Sequence, residues 1–210
     1  MKLLCIDTTK PEAVICLNNE GKTSCMSLPD TKRHSEALLG EIENFLCENQ
    51  LTINDVTHLG CVTGPGSFTG IRIGMATVKA LSFALNIPIV CGDYFKIVSG
   101  LVKNAYVALK NTSNSVYLTE ISRSKCKQIE VVENVKILDQ IGTKKLYTSP
   151  NEQISGVEAY KELYNISMEA YQETMLNYFI NEVETGKFVK SANFVPVYAQ
   201  LSQAERNLKD

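Results

Sequence analysis

Residues 64–74, GPGSFTGIRIG, constrain the fold more than any other segment of this sequence. Four glycines and one proline fix an irregular backbone there, between a strand pattern at 57–63 and an apolar helix pattern at 70–85. Backbone N–H groups at such a strand-to-helix turn can receive an anion. The segment lacks the GK[ST] ending of a Walker loop and the acidic residue that follows a GxGxxG fingerprint. It therefore predicts either a phosphate cradle or a loop that seats the next helix.

Strand patterns precede this segment, and strand and helix patterns alternate around it. In the first half we predict strands at 2–6, 12–17, 22–28, 57–63 and 88–91. We predict helices there at 35–50 and 70–85. In the second half we predict strands at 107–109, 115–121 and 128–132 and helices at 157–163 and 168–184. This order favours an α/β fold with mixed sheets. We place the boundary near residue 100, with a first lobe at 1–100 and a smaller second lobe at 101–210 whose tail can pack back on the first.

Composition excludes several classes of protein. The chain has 210 residues, 44% of them hydrophobic and 21% charged, which is the balance of a soluble globular protein. No apolar run approaches the roughly 20 residues that span a bilayer, so we expect a cytoplasmic protein that does not bind membranes. The net charge is −2, and the sequence contains no basic block and no alternation of basic and aromatic residues. A direct nucleic-acid footprint is therefore not expected.

Cysteine and histidine usage argues against metal or redox chemistry. The seven cysteines are never closer than nine positions, so no CxxC pair exists, and we expect them to be reduced thiols buried in a reducing compartment. The two histidines, His34 and His58, have no acidic or cysteine partner at ligand spacing. We expect no metal site, and no catalytic residue is assigned.

The triplet Asp7-Thr8-Thr9 follows a strand predicted to be buried. Its carboxylate and hydroxyls can meet a phosphate or its metal, or they can make only the hydrogen bonds of a turn. The candidate phosphate or nucleotide contacts are Asp7, Thr8, Thr9, Gly64, Gly66 and Ser67.

The helix at 70–85 is apolar around more of its circumference than one sheet contact needs. The helix at 35–50 can cover the remainder within the monomer, or a second chain can do so. For the second alternative, the predicted partner interface consists of Leu38, Ile42, Phe45, Gly70, Gly74, Met75, Val78 and Leu81.

These motifs together resemble one known family. Ile6-Asp7-Thr8, Arg33-His34-Ser35-Glu36 and GPGSFTGIRIG are similar in order and spacing to the TsaB (YeaZ) family. Pro196-Val197-Tyr198 and Ala204-Glu205 resemble its C-terminal signature.

The resemblance implies an actin-like, Hsp70-type (ASKHA) fold of two lobes, with a reduced second lobe. It also implies a non-catalytic subunit that forms a heterodimer with the related enzyme TsaD, which the ATPase TsaE joins. TsaD transfers a threonylcarbamoyl group to adenosine 37 of tRNAs that read codons beginning with A. On this reading the chain meets tRNA only indirectly, through the complex. It has no intrinsic cofactor. ATP at the partner interface and a homodimer of the isolated chain are left open.

Two segments depart from the family pattern. TsaD-type chains carry an HxxxH metal pair, whereas residues 93–98 here contain no histidine, which disfavours catalysis. The family also commonly has a DARRGEVY-like segment near the start of the second lobe, and of that segment this chain keeps only the last two residues, Val116-Tyr117. The alternative function is an ATPase or small-molecule kinase that uses Asp7, Thr8 and the glycine-rich loop, and a peptidase ranks last.

Overall fold

The computed structural model describes residues 1–29, 34–123, 125–190 and 193–199, with only the backbone of residues 34–36. The side chains of the Arg33 to Glu36 motif and the Ala204-Glu205 pair lie outside the described residues. The elements, in chain order, are β1 (Lys2–Asp7), β2 (Ala13–Asn19), β3 (Lys22–Leu28), α1 (His34–Glu48), β4 (His58–Val62), α2 (Phe68–Leu85), β5 (Ile89–Gly92), α3 (Tyr94–Val98), β6 (Ala105–Lys110), β7 (Ser115–Ser122), β8 (Lys125–Cys126), β9 (Glu130–Glu133), α4 (Ile137–Ile141), β10 (Leu146–Thr148), β11 (Leu163–Asn165) and α5 (Met168–Glu184).

The chain divides into two compact units. The first contains Met1–Asp93 and Met175–Val197, and the second contains Tyr94–Thr174. The helix α5 is thus shared, its first turns belonging to the second unit and its remainder to the first.

The first unit is built on a five-stranded sheet in the order β3-β2-β1-β4-β5. The hairpin strands pair antiparallel, while β1, β4 and β5 pair parallel, which makes the predicted mixed sheet. Apart from their outermost residues, β1 and β2 are buried, as their continuous apolar sequences predict.

The two faces of this sheet are covered by different helices. On one face, side chains of β1, β2 and β4 form a core with α1 and α2 that includes Leu4, Ile6, Ile42 and Val78. On the other face, Gly60 leaves room for α5, because a Cβ added there would lie 2.9 Å from a ring carbon of Phe179.

The second unit contains a sheet in the order β11-β10-β6-β7-β8, with β9 paired to β7. Its core, which includes Leu118, Ile137, Leu146 and Val157, lies between this sheet and α4. Strands β6, β10 and β11 are parallel, whereas β7 runs antiparallel to β6.

The predicted helix at 157–163 is wrong. These residues form turns and then enter β11, which adds to the sheet edge beside β10. The alternation of Val157, Tyr160 and Leu163 resembles a helix pattern because each of these residues packs against the core from a turn or strand end. The short elements α3, α4, β8 and β10 are not predicted from the sequence.

Candidate functional site

The candidate phosphate contacts lie together where β1 ends and α2 begins. The Ser67 N–H donates to the Thr9 carbonyl oxygen at 2.8 Å, and the Thr8 hydroxyl donates to the Gly70 carbonyl oxygen at 2.7 Å. Gly64 and Gly66 have φ angles of +124° and +154°, which residues other than glycine rarely adopt. The structure therefore joins the Asp7 turn and the glycine-rich loop into one feature.

Asp7 is fully buried and already bound by its own turn. Its Oδ1 accepts hydrogen bonds from the Thr9 N–H at 2.8 Å and from the Thr9 hydroxyl at 2.7 Å. Its Oδ2 forms an ion pair with Lys10 Nζ at 2.6 Å, and the Lys10 side chain is 4% exposed. Lys10 was not predicted, because a lysine beside a turn proline is usually solvated. Both oxygens of the Asp7 carboxylate are thus already engaged by groups of its own turn.

The glycines of the loop make room for backbone rather than for a bound group. A Cβ at Gly66 would overlap the Thr9 carbonyl oxygen, and one at Gly70 would overlap the Thr8 carbonyl oxygen. A Cβ at Gly74 would overlap the Thr8 hydroxyl. These close approaches favour the second reading of the segment, a loop that seats the next helix.

Helix α2 starts inside this loop with a conventional cap. The Ser67 hydroxyl accepts a hydrogen bond from the Gly70 N–H at 3.2 Å, and the Ile71 N–H donates to the Ser67 carbonyl oxygen at 2.9 Å. The N–H groups of Ser67, Gly70 and Ile71 thus have partners within the chain. They are not the exposed donors that an anion cradle requires.

The C-terminal segment packs against the same loop. The Val197 N–H donates to the Thr63 carbonyl oxygen at 2.8 Å, and a Cβ at Gly64 would overlap the Val197 carbonyl oxygen. Two motifs that are more than a hundred residues apart in the sequence, the glycine-rich loop and Pro196-Val197, are therefore neighbours.

The residues predicted for a partner interface are mostly in the core. Leu38, Ile42, Phe45, Met75 and Val78 are each at most 7% exposed and pack against the first sheet. Gly74 is also buried, while Gly70 and Leu81 are half-buried. The helical spacing thus identified mainly the inner stripe of α1 and α2, which packs on the sheet, and of the predicted set only Gly70 and Leu81 are partly exposed.

The outer side of α2 is largely apolar too, although Thr69, Arg72 and Lys79 are also exposed there. Its exposed residues include Ala76, Ala80, Phe83 and Ala84, and the Phe83 side chain is 90% exposed. On α1, Leu39 is 53% exposed. Among the described helices, α2 alone is long and apolar enough to cross a membrane by length and composition, but its inner face is fixed in the core.

The cysteines depart in part from the prediction of reduced thiols. Cys16 and Cys25 face each other across β2 and β3 and form a disulfide. Their spacing of nine residues did not reveal this pair, because the hairpin register brings them together. Cys5 and Cys61 are buried free thiols. Burial raises the pKa of both well above the ordinary value, and the Asp7 carboxylate raises that of Cys61 further, so neither is a ready nucleophile.

Two observations concern residues that could hold a metal ion. In the described part of the chain, no three His, Cys, Asp or Glu side chains lie where they could hold a metal ion. Where the resemblance would place the HxxxH pair, α3 instead buries Tyr94, Phe95, Ile97 and Val98.

Comparison with known proteins identifies relatives by sequence and by fold. Residues 29–93 match the family described as TsaD: tRNA N6-adenosine threonylcarbamoyltransferase. The tRNA threonylcarbamoyladenosine biosynthesis protein TsaB of Haemophilus influenzae is 25% identical over 60% of this chain and 56% of its own length. That of Escherichia coli is 28% identical over 43% of this chain and 39% of its own.

The chain is similar to the TsaB/YeaZ family. YeaZ from Pseudomonas aeruginosa has the same fold, with a TM-score of 0.72 at 19% identity, covering 94% of this chain and 99% of that one. AlfA from a Bacillus subtilis plasmid, seen in a filament, has a TM-score of 0.54 at 7% identity, covering 84% and 98%. The predicted actin-like (ASKHA) fold of two sheets is thereby confirmed. The chain spans about half the length, or less, of the curated TsaB relatives it matches.

Proposed function

We propose that this chain is a non-catalytic partner subunit of a TsaD-type enzyme, which forms threonylcarbamoyladenosine at position 37 of tRNA in the cytoplasm. The proposal includes TsaE as a further member of the complex. The observation that carries it is the outer surface of α1 and α2. We define this outer face by Leu39, Ala76, Ala80, Phe83 and Ala84.

The outer face has the chemistry of a helix–helix contact. Ala76, Ala80 and Ala84 recur every four residues, so they line one side of α2 and let another helix approach closely. Phe83 lies beside them and is 90% exposed. Burying a phenylalanine side chain stabilises an interface by about 1.5–3 kcal/mol relative to leaving it in water. A protein partner that covers the outer face would therefore gain this free energy of burial, because Phe83 is exposed to water in the isolated chain.

The Asp7 turn supports a role without catalysis. A phosphotransferase or ATPase of this fold needs a carboxylate that can hold a metal ion against phosphate. Here Lys10 lies 2.6 Å from Oδ2 of Asp7, and Thr9 donates twice to Oδ1. With its carboxylate neutralised and its turn packed under α2, the feature acts as the seat of the helix whose other face meets the partner.

The experiment compares a charge placed on the outer face with the same charge placed elsewhere. Phe83→Asp is the test variant, and Val135→Asp is the matched control, since Val135 is 79% exposed and lies in the second unit. The TsaD-type protein of the same organism is co-expressed with a tag, and the complex is measured by co-purification and by titration calorimetry. Thermal melting of each variant alone monitors folding.

We expect Phe83→Asp to weaken TsaD binding at least 10-fold with an unchanged melting temperature, and Val135→Asp to bind as the wild type does. Reconstituted threonylcarbamoyl transfer to tRNA should fall in parallel for Phe83→Asp. If the wild-type chain does not bind TsaD, or if both variants bind equally well, the proposal is wrong.

A further inference from the structure

One edge of the second sheet gathers basic side chains from separate parts of the chain. The N-terminal ends of β6, β10 and β11 lie at this edge, because Leu146 pairs with both Tyr106 and Leu163. The C-terminal end of β7 lies there as well, since Ala105 pairs with Ile121. The exposed residues that define this basic edge are Lys103, Arg123, Lys127, Lys144, Lys145 and Lys161.

The charges of the basic edge are close enough to share a carboxylate. Glu120 accepts hydrogen bonds from Lys127 at 2.7 Å and from Lys144 at 2.6 Å, and these bonds lower the pKa of Glu120. The Glu120 side chain is 14% exposed, whereas Lys127 and Lys144 are 63% and 49% exposed. One largely buried carboxylate therefore holds two ammonium groups toward solvent. The six basic residues outnumber the two acids that the hydrogen bonds described above and that of Tyr164 place beside them, Glu120 and Glu162, although the whole chain has a net charge of −2.

Aromatic rings lie among these cations. Lys144 Nζ is 5.4 Å from the centroid of the Tyr106 ring, and Lys145 Nζ is 5.3 Å from that of Tyr164. Tyr164 also stacks on Tyr147 at 5.2 Å and is 38% exposed. Of these rings, Tyr106 packs against the core and Tyr164 is the exposed one. Cations that can follow a phosphate backbone, beside an exposed aromatic ring, are features of proteins that bind RNA without reading its sequence.

We propose that the basic edge binds the phosphate backbone of tRNA, so that this chain contacts the RNA substrate directly. The choice of tRNA rests on the proposed function, and the charge complementarity and the exposed tyrosine are independent of it. The contact is with backbone, because the basic side chains are spread over the ends of several strands. Of the six, Lys161 lines a cavity of about 450 Å³ beside Tyr160 and Glu162, whereas Lys103, Arg123, Lys127, Lys144 and Lys145 are not among its lining residues.

The test is a titration with fluorescently labelled tRNA, followed by anisotropy at several salt concentrations. The edge variant replaces Lys103, Lys145 and Lys161 by Gln, and its matched control replaces Lys22, Lys110 and Lys136 by Gln. Lys110 ends β6 and Lys136 follows β9, at the opposite edge of the same sheet, while Lys22 lies in the first unit. Melting temperatures of both variants verify folding.

We expect the edge variant to lose at least 10-fold in tRNA affinity at low salt. Each lost phosphate contact should reduce the slope of log K against log salt by about 0.7–0.9, so three contacts should reduce it by roughly 2–3. The control should change the affinity less than 2-fold. Equal affinities and slopes for the wild type and both variants would overturn the inference, as would equal losses in the two variants.

A second variant gives an effect of the opposite sign. Glu120→Gln removes the carboxylate that partly neutralises Lys127 and Lys144, so tRNA affinity should rise several-fold. General destabilisation would not raise it. An unchanged or weaker affinity for this variant would contradict the proposed role of the edge.

Two further arms separate the alternatives. Phosphatidylglycerol vesicles and polyglutamate replace tRNA in the same titration, and binding to either without binding to tRNA overturns the choice of RNA. The titration is also repeated with the TsaD complex. If the complex with TsaD forms but the slope of log K against log salt for tRNA binding is the same in the edge and control variants, the inference about the basic edge is wrong and the proposed function is unaffected. A chain that does not bind TsaD overturns the proposed function, and the basic edge is then decided by the titration of the chain alone.

Discussion

Replacing Gly70 by Ala tests whether the glycine-rich loop is a tightly packed seat for α2. Gly70 lies in the first turn of the helix, and its carbonyl oxygen accepts the Thr8 hydroxyl at 2.7 Å. An added Cβ would lie closer than 3.0 Å to the Thr8 carbonyl oxygen. That oxygen belongs to the backbone, so it cannot rotate away as a side chain would. The helix must move away from the turn between β1 and β2.

The expected change in the free energy of unfolding follows from three contributions. Overpacking costs about 1–3 kcal/mol. Loss of the hydrogen bond from Thr8 costs about 1 kcal/mol. The helix propensity of alanine returns up to about 1 kcal/mol. The net destabilisation is about 2 kcal/mol, and since each kcal/mol lowers the midpoint by about 2–4 °C at this chain length, melting should fall by about 4–8 °C.

Gly40→Ala is the matched control for this substitution. Gly40 lies within α1 and is exposed, and a Cβ added there would have no group of the described residues within 4 Å. The same change should therefore stabilise the chain there by about 1 kcal/mol. Both variants are measured by urea unfolding followed by circular dichroism. If Gly70→Ala is as stable as the wild type while Gly40→Ala gains stability, the loop is not packed as we describe and the argument for a seat fails.

Two further predictions concern buried ionisable groups. Lys10→Met leaves the Asp7 carboxylate buried without its ammonium partner, so the free energy of unfolding should fall by about 3–5 kcal/mol; a change below about 1 kcal/mol in urea unfolding would contradict a buried pair. Burial raises the pKa of the Cys5 and Cys61 thiols in the folded chain. Their contribution to the free energy of unfolding is therefore complete below the ordinary thiol pKa, and it is lost as the pH rises from that value toward the raised pKa of the folded state. Stability should therefore decline from about pH 8.5 upward, and less steeply in a Cys5→Ala, Cys61→Ala variant. In the native chain a thiol reagent should modify exposed Cys47 well before either of them.

Local sequence patterns were sufficient for most of the first unit. Continuous apolar runs predicted the buried strands β1 and β2, and the concentration of glycines predicted the irregular turn before α2. These features depend on residues that are close together in the sequence and on the backbone conformations that those residue types allow, so they can be predicted from the sequence alone. The order and spacing of the same motifs also pointed to the family.

Local patterns were misleading where a residue's neighbour is distant or where both faces of an element are apolar. Helical spacing on α2 could not tell the inner stripe of Met75 and Val78 from the outer stripe of Ala80 and Phe83, because both are apolar. Lys10 has the position of a solvated turn lysine, and only the packing of the turn under α2 buries it against Asp7.

The sequence by itself determined which segments form the first sheet, where its glycine-rich turn lies and which family the chain resembles. Only the tertiary structure decided which surfaces those segments leave to solvent. Cys16 and Cys25 pair because of a hairpin register, and the basic edge exists because parallel and antiparallel strands bring Lys103, Lys127 and Lys144 to the same end of a sheet. These lysines are far apart in the sequence, so no single segment indicates a cluster of positive charge. Charge acts through distance in space, and strand pairing sets that distance independently of separation along the chain.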